Sequence, residues 1–220
     1  MPSIADNLAQ IEQALRKETR LVAVTKTKPT TLLMEAYEAG ARLFGENKVQ
    51  EMVAKYEELP KDIEWHMIGH LQTNKVKYMA PFVSLVHSVD SFKLLKEINK
   101  EARKNDRIID CLLQIYIARE ETKFGLSEDE ALALITSPEL ATLANVRIAG
   151  LMGMASNTDD QEAVRSEFRG LKSTFEAFKN HENAQVTMRE LSMGMSGDYL
   201  IAMEEGSTLV RVGSAIFGSR

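Results

Sequence analysis

Lys26 is the residue whose type and position first point to chemistry. It ends the apolar run Leu21-Val22-Ala23-Val24-Thr25 and opens the motif Lys26-Thr27-Lys28-Pro29. Such a run reads as a buried strand, and a lysine at the exit of one stands beside low-dielectric walls. Those surroundings favour the neutral amine, the form that attacks a carbonyl to give a Schiff base. A second group of unusual residues stands near the other end of the chain, in Ser192-Met193-Gly194-Met195-Ser196-Gly197-Asp198 and Arg211-Val212-Gly213-Ser214-Ala215-Ile216-Phe217-Gly218. Their glycines let the backbone approach a ligand closely, and Ser196 and Ser214 add hydroxyls to the amide donors. Gly197 and Asp198 open a short predicted helix whose N-terminus favours an anion. Carbonyl capture is suggested at one place and a phosphate cradle at another.

The elements that must bring these residues together follow from an alternation of two patterns. Short β-branched runs give candidate strands at Leu21–Thr25, Arg42–Gly45, Glu64–Ile68, Leu85–Val89, Asp110–Ile117, Val146–Met152, Thr187–Ser192 and Thr208–Val212. Segments of helical spacing lie between them. Thr30–Ala39 ends at Gly40, Asn47–Glu58 ends before Pro60, and Asp90 or Ser91 caps a helix running to Arg103. Ser127 with Glu130 three residues on reads as a capping box, Asp159–Lys179 as a long amphipathic helix, and Gly197–Glu204 as a short one. Eight strands alternating with helices fit a doubly wound sheet or a closed (β/α)8 TIM-type barrel, and the count of eight favours the barrel. Ile4–Arg16 forms an extra N-terminal helix, placed to close the bottom of the barrel. Residues 1–220 are then a single α/β domain.

In a barrel the chemistry gathers at the carboxyl ends of the strands, and phosphate sites favour the loops after strands seven and eight. Strand eight closes against strand one, so Lys26 and the two glycine-serine loops become neighbours. A ligand with an aldehyde at one end and a phosphate at the other would bridge them, and pyridoxal 5'-phosphate is such a ligand. Side chains alternate along a strand, so Arg211 and Gly213 share a face, and Arg211 could set its guanidinium against the ring nitrogen. A surface salt bridge is the competing use of Arg211.

Bulk properties narrow the partners. The chain has 220 residues and a formal net charge of -5, which argues against nucleic acid or an anionic membrane as partner. No stretch is long and apolar enough to span a bilayer, and the N-terminus lacks the layout of a signal peptide. Cys111 is the single cysteine, set in an apolar run, and the four histidines, His66, His70, His87 and His181, lack zinc-hydrolase spacing. A soluble cytoplasmic protein without structural metal is expected.

The motifs together resemble the pyridoxal phosphate homeostasis protein family along nearly the whole chain. The matching stretches are Val24-Thr25-Lys26-Thr27-Lys28-Pro29, Phe44-Gly45-Glu46-Asn47, Trp65-His66-Met67-Ile68-Gly69, Leu71-Gln72-Thr73-Asn74-Lys75, Gly150-Leu151-Met152, Leu191 to Asp198 and Val210 to Gly218. The resemblance implies a barrel like the N-terminal domain of alanine racemase (fold type III), with pyridoxal 5'-phosphate as cofactor. Carried over by motif, Lys26 is the Schiff-base lysine, and Ser196, Gly213 and Ser214 hold the phosphate. Arg211 faces the pyridine nitrogen, while Asn47 and His66 line the pocket near the ring. Met154 and Met193 are candidates to pack on the ring, Lys28 and Lys75 match the family pattern with a barrel-rim charge as the competing reading, and Lys123 is another rim lysine, a candidate to receive or hand over the phosphorylated vitamer. Thr25 and Ser214 stand where many members carry serine and threonine, and both keep the hydroxyl.

An amino-acid racemase on this barrel needs a second acid/base group opposite the lysine. In alanine racemases a tyrosine from an extra β-domain of a partner subunit supplies it, and no stretch for that domain is expected here. An arginine at the ring nitrogen does not give up its proton, so the ring becomes a poorer electron sink. The expectation is therefore a monomeric carrier or buffer, without catalytic residues, that delivers cofactor to apo-enzymes by transient contact. A weak racemase is the alternative. An aldolase whose lysine attacks a sugar phosphate fits the lysine and the loops but leaves Arg211 without a task.

Overall fold

A computed structural model describes residues 3–118 and 125–218. Eight parallel strands close into one barrel in the order β1 to β8. They are β1 (Arg20–Val24), β2 (Leu43–Glu46), β3 (Glu64–Met67), β4 (Leu85–Val89), β5 (Ile109–Ile115), β6 (Val146–Gly153), β7 (Val186–Met195) and β8 (Leu209–Val212). The helices are α1 (Ile4–Ala14), α2 (Thr30–Glu38), α3 (Val49–Glu58), α4 (Val76–Met79), α5 (Phe92–Lys104), α6 (Glu128–Ile135), α7 (Gln161–Phe178), α8 (Tyr199–Glu204) and α9 (Ser214–Phe217). The expected barrel is the observed one, and each candidate strand is present.

The caps follow the sequence signals. Ser91 accepts from the Leu94 amide at the start of α5, and Ser127 with Glu130 forms the complete capping box of α6. Boundaries differ at the carboxyl ends of two strands, where the chain stays extended longer than expected. The expected helix from Asn47 starts instead at Val49 with Lys48 as its N-cap, so Asn47 remains on the exit of β2. The seventh strand runs on to Met195 through Gly194, whose φ is +94°. The register between β7 and β8 shifts over Ser192 to Met195, so glycine there marks a bulge rather than the end of the strand.

Two apolar layers form. Side chains facing outward from the strands pack under the helices, with Phe44, Trp65, Leu113, Leu151 and Val210 among them. The barrel interior is filled by Val22, Leu85, Leu112, Ala149, Met152 and Leu209, with Leu43 packed against them. Cys111 lies in the outer layer, fully buried, and burial raises its thiol well above the ordinary range.

α1 does not close the floor of the barrel, contrary to expectation. Leu8 and Ile11 join the outer apolar layer, and α1 packs on α2 and α9, with Asn7 Nδ2 donating to the Ile216 carbonyl at 2.9 Å. The last helix has only four residues, which leaves a gap in the outer ring that α1 fills. Charged side chains form the floor instead: Arg147 and Arg189 each reach Asp110 at 2.7 Å, and Arg20 reaches Glu190 at 2.6 Å.

Gly150 is the backbone position with least tolerance. Its φ is +151°, and a Cβ there would lie 1.8 Å from the Glu190 carbonyl oxygen of β7. Gly150→Ala should lower stability by about 3 kcal/mol or more, because strain and a backbone clash add. A urea unfolding midpoint matching the wild type would show that the β6–β7 contact yields more easily.

Candidate functional site

The carboxyl ends of the strands enclose a cavity of about 340 Å³, a size suited to a small organic ligand. Lys26, Asn47, Ser196, Arg211, Gly213 and Ser214 all line it, together with Val24, Ile68, Met154, Met195 and Gly197. A recess of about 100 Å³ at the same edge is lined by Lys26, Thr27, Lys28, Gly213, Ser214 and Gly218. Six of the seven residues singled out from the sequence therefore meet at one place.

Lys26 is held by its neighbours rather than by its own contacts. Thr27 adopts φ +63°, unusual for a β-branched residue. Its amide donates to Glu51 Oε1 at 2.5 Å. Lys55, buried under α3, reaches the Thr25 carbonyl at 2.8 Å and both Glu46 Oε1 and Glu51 Oε1 at 2.7 Å. The Thr25 hydroxyl donates to Glu46 Oε1 at 2.5 Å. Residues on either side of Lys26 are thus clamped, which directs its stem into the cavity. Burial raises the Glu46 carboxyl above its ordinary range, while Lys55 and Thr25 oppose that shift. Lys28 ties the same loop to the end of α9, donating to the carbonyls of Phe217 at 3.2 Å and Gly218 at 3.0 Å.

The glycine-serine side of the cavity is built from β7, β8 and the turns that follow them. The Gly213 amide donates to Ser196 Oγ at 3.2 Å, which joins the two loops. A Cβ at Gly213 would stand 3.1 Å from the Val24 carbonyl, so glycine allows β8 to leave the sheet close against β1. Asp198 turns its carboxylate back to accept from the Met195 amide at 2.6 Å and thereby fixes the turn presenting Ser196 and Gly197. Burial raises the Asp198 carboxyl, with Arg211 opposing. Asp198 is the N-cap of α8, so the turn carrying Ser196 and Gly197 leads straight into the start of that six-residue helix, as expected.

Arg211 is not at the surface. It is 4% exposed, and its guanidinium donates to Ser192 Oγ at 2.5 Å and to the Gly153 carbonyl at 3.1 Å. Burial pulls it down to about 10, with Asp198 opposing, and it stays a cation at neutral pH. Two of its donors are engaged below, and the group lines the cavity above.

His66 lies elsewhere. Ile68, two residues on, lines the cavity, and His66 sits one layer down, about 6.6 Å along the strand at the usual rise. Its ring contacts His87 and lines a separate floor cavity with Arg20, Glu64, Asp110, Arg189 and Glu190. Met193 faces the outer apolar layer, and Met195 takes the cavity position beside Met154. Lys75 closes a 3-10 turn, Thr73–Lys75, away from the cavity, and Lys123 lies outside the described residues. Sequence reasoning gave no task to Glu46, Lys55, His87 or Ser192. His87 and Ser192 carried one usable signal, a polar residue inside an otherwise apolar strand.

The whole chain, residues 1–220, matches the family described as alanine racemase, N-terminal domain. A pyridoxal phosphate homeostasis protein of Aquifex aeolicus is 42% identical over 212 residues, covering 95% of this chain and 91% of that protein. The human protein of the same description is 39% identical, covering 92% of this chain and 77% of its own length. Among solved structures, PipY of Synechococcus elongatus with PLP bound superposes with a TM-score of 0.88 at 34% identity, covering 98% of this chain and all of that one. Alanine racemase from Bartonella henselae, at 18% identity, shares the fold alone, with a TM-score of 0.72. The chain belongs to the alanine racemase N-terminal domain family, and within it to the pyridoxal phosphate homeostasis proteins.

Among the described residues no group of histidine, cysteine and carboxylate side chains could hold a metal ion, and no helix is long and apolar enough to cross a membrane. Lys55→Met should cost about 3 kcal/mol, because it strips a buried carboxylate of its cation; denaturant titration reads this, and a change under about 1 kcal/mol would contradict the clamp. Burial lowers His66 from 6.5 to about 3 and His87 well below its ordinary range, with Arg20 adding to the first and His66 and Arg211 to the second. Between those limits the unfolded chain binds more protons than the folded one. The histidines' contribution to stability is therefore present above pH 6.5 and is lost on acidification, with a slope of up to about 1.4 kcal/mol per pH unit for each histidine. Unfolding free energies from pH 7 to pH 4, with both histidines replaced by asparagine as control, measure this slope.

Proposed function

We propose that residues 1–220 act as one domain that binds pyridoxal 5'-phosphate and buffers or delivers it to apo-enzymes inside the cell, rather than turning over a substrate. The observation that carries this reading is the placing of Lys26 and the Ser196–Gly213–Ser214 loops on one cavity, with Arg211 buried in its wall. The relative solved with PLP bound covers nearly the whole chain.

The donor set suits the cofactor. When bound, pyridoxal 5'-phosphate supplies an electrophilic aldehyde that a lysine amine captures as a Schiff base. Lys26 provides that amine from a clamped loop. The Ser196 and Ser214 hydroxyls, with the amides around Gly197 and Gly213, provide neutral donors for a phosphate, and Lys28 stands in the adjoining recess. Arg211 presents donor hydrogens and no acceptor, so it leaves a ring nitrogen without a proton. Asn47 and Ile68 form a side wall, and Met154 and Met195, at 39% and 41% exposed, form a partly open rim.

Binding without turnover is supported by the character of this lining. Among the described residues that line the cavity there is no tyrosine, histidine or carboxylate; Lys26 and Arg211 are the ionisable side chains. Proton exchange on both faces of a substrate carbon needs two bases, and an arginine does not act as one. The open rim leaves room for a recipient protein, in keeping with a monomer that makes transient contacts.

Borohydride reduction of the loaded protein followed by peptide mass spectrometry should place the adduct on Lys26. Lys26→Ala should lose the adduct and the visible colour yet retain weak affinity through the phosphate loops. An adduct recovered at full yield in that variant would move the site to another lysine. Arg211→Glu should change the visible spectrum of the bound cofactor and raise any racemisation seen when amino acids are incubated and resolved by chiral chromatography. Rapid racemisation by the wild type would overturn the carrier reading.

A further inference from the structure

A continuous polar line crosses the barrel interior beneath the cavity. Arg211 on β8 donates through Nη1 to Ser192 Oγ on β7 at 2.5 Å. Ser192 Oγ lies 2.9 Å from His87 Nδ1 on β4, and His87 Nε2 lies 3.0 Å from His66 Nδ1 on β3. All four residues are buried, at 4%, 0%, 0% and 3% exposure. They run beside the apolar side chains of the interior, Leu85, Leu112, Met152 and Leu209 among them, where polar groups are costly unless paired.

Among the hydrogen bonds of Ser192 the one acceptor open to its hydroxyl proton is His87 Nδ1, and giving the proton there sets the order of donors along the line. A guanidinium only donates, so Ser192 Oγ accepts from Arg211. The hydroxyl proton of Ser192 then has His87 Nδ1 as its acceptor. That leaves His87 protonated on Nε2, donating to His66 Nδ1, and leaves the proton of His66 on Nε2. Both rings are neutral, so nothing on this side neutralises the guanidinium. The charge that acts on it is the Asp198 carboxylate of the turn after β7, which lies outside this line.

We propose that Ser192, His87 and His66 are positioning residues for cofactor binding: their one-way hydrogen-bond line anchors the Arg211 guanidinium and holds its remaining donors against the ring nitrogen of pyridoxal 5'-phosphate. This rests on the cavity being the cofactor site. With Ser192 committed to His87, its hydroxyl cannot turn its proton towards Arg211, and the arginine has one place to stand.

Two measurements test this. In the wild-type protein without cofactor, nitrogen-15 NMR of labelled histidine should show His66 and His87 both as the Nε2–H tautomer at neutral pH. The Nδ1–H tautomer at either ring would reverse the line and overturn the assignment, and this arm decides even where a variant does not fold. With pyridoxal 5'-phosphate as ligand, Ser192→Ala should bind about tenfold more weakly, the effect of losing a hydrogen bond to a charged group, and should shift the visible absorption of the bound cofactor. Ser192→Thr, which keeps the hydroxyl, should restore both. Unchanged affinity and spectrum in Ser192→Ala would overturn the positioning role while leaving the cavity as the cofactor site. A wild-type chain that takes up no cofactor would instead sink the functional reading and this assignment together.

Discussion

Parallel pairing of β8 with β1 is the constraint on which the rest of the structure depends. It aligns Arg20 to Ala23 with Leu209 to Val212 in unbroken register. That register carries the first and last motifs of the chain to one edge, although almost the entire sequence lies between them. The join is close because Gly213 has no side chain to meet the Val24 carbonyl. A Cβ there would crowd the Val24 carbonyl at 3.1 Å and press on the seam between the lysine and the serine loops.

Around this seam the protein places its charges unevenly. Lys26 stands among hydroxyls, amides and thioethers, and the carboxylates Glu46 and Glu51 are kept behind it, bound to Lys55. Arg211 is backed by a hydroxyl and neutral imidazoles. The opposite end of the barrel carries carboxylates and arginines paired with one another. A ligand in the cavity therefore meets cationic and neutral donors, with no carboxylate among the described residues that line it.

Much of this was legible in the sequence because local chemistry carried it. The alternation of apolar runs and helical spacing gave the barrel, and Ser91 and Ser127 announced their helices. Lys26, Asn47, Ser196, Arg211, Gly213 and Ser214 meet where the motifs implied. His66 did not, because alternation tells which way a strand residue faces but not at which layer of the barrel it lies. The clamp around Lys26 was also hidden. Glu51 and Lys55 are an ordinary helical pair four residues apart, and nothing local shows that Lys55 points inward to Thr25 and Glu46. The extra N-terminal helix was legible as a helix but not in its place, since the gap it fills exists only once the four-residue α9 is known.

The burial of Cys111 has a consequence for an aldehyde-handling protein. Thiols add readily to aldehydes, and an accessible cysteine would compete with an amine for the same carbon. The single sulfhydryl of this chain is sealed in the layer between strands and helices, and its ionisation is suppressed. The protein therefore offers a reactive carbonyl no thiol of its own.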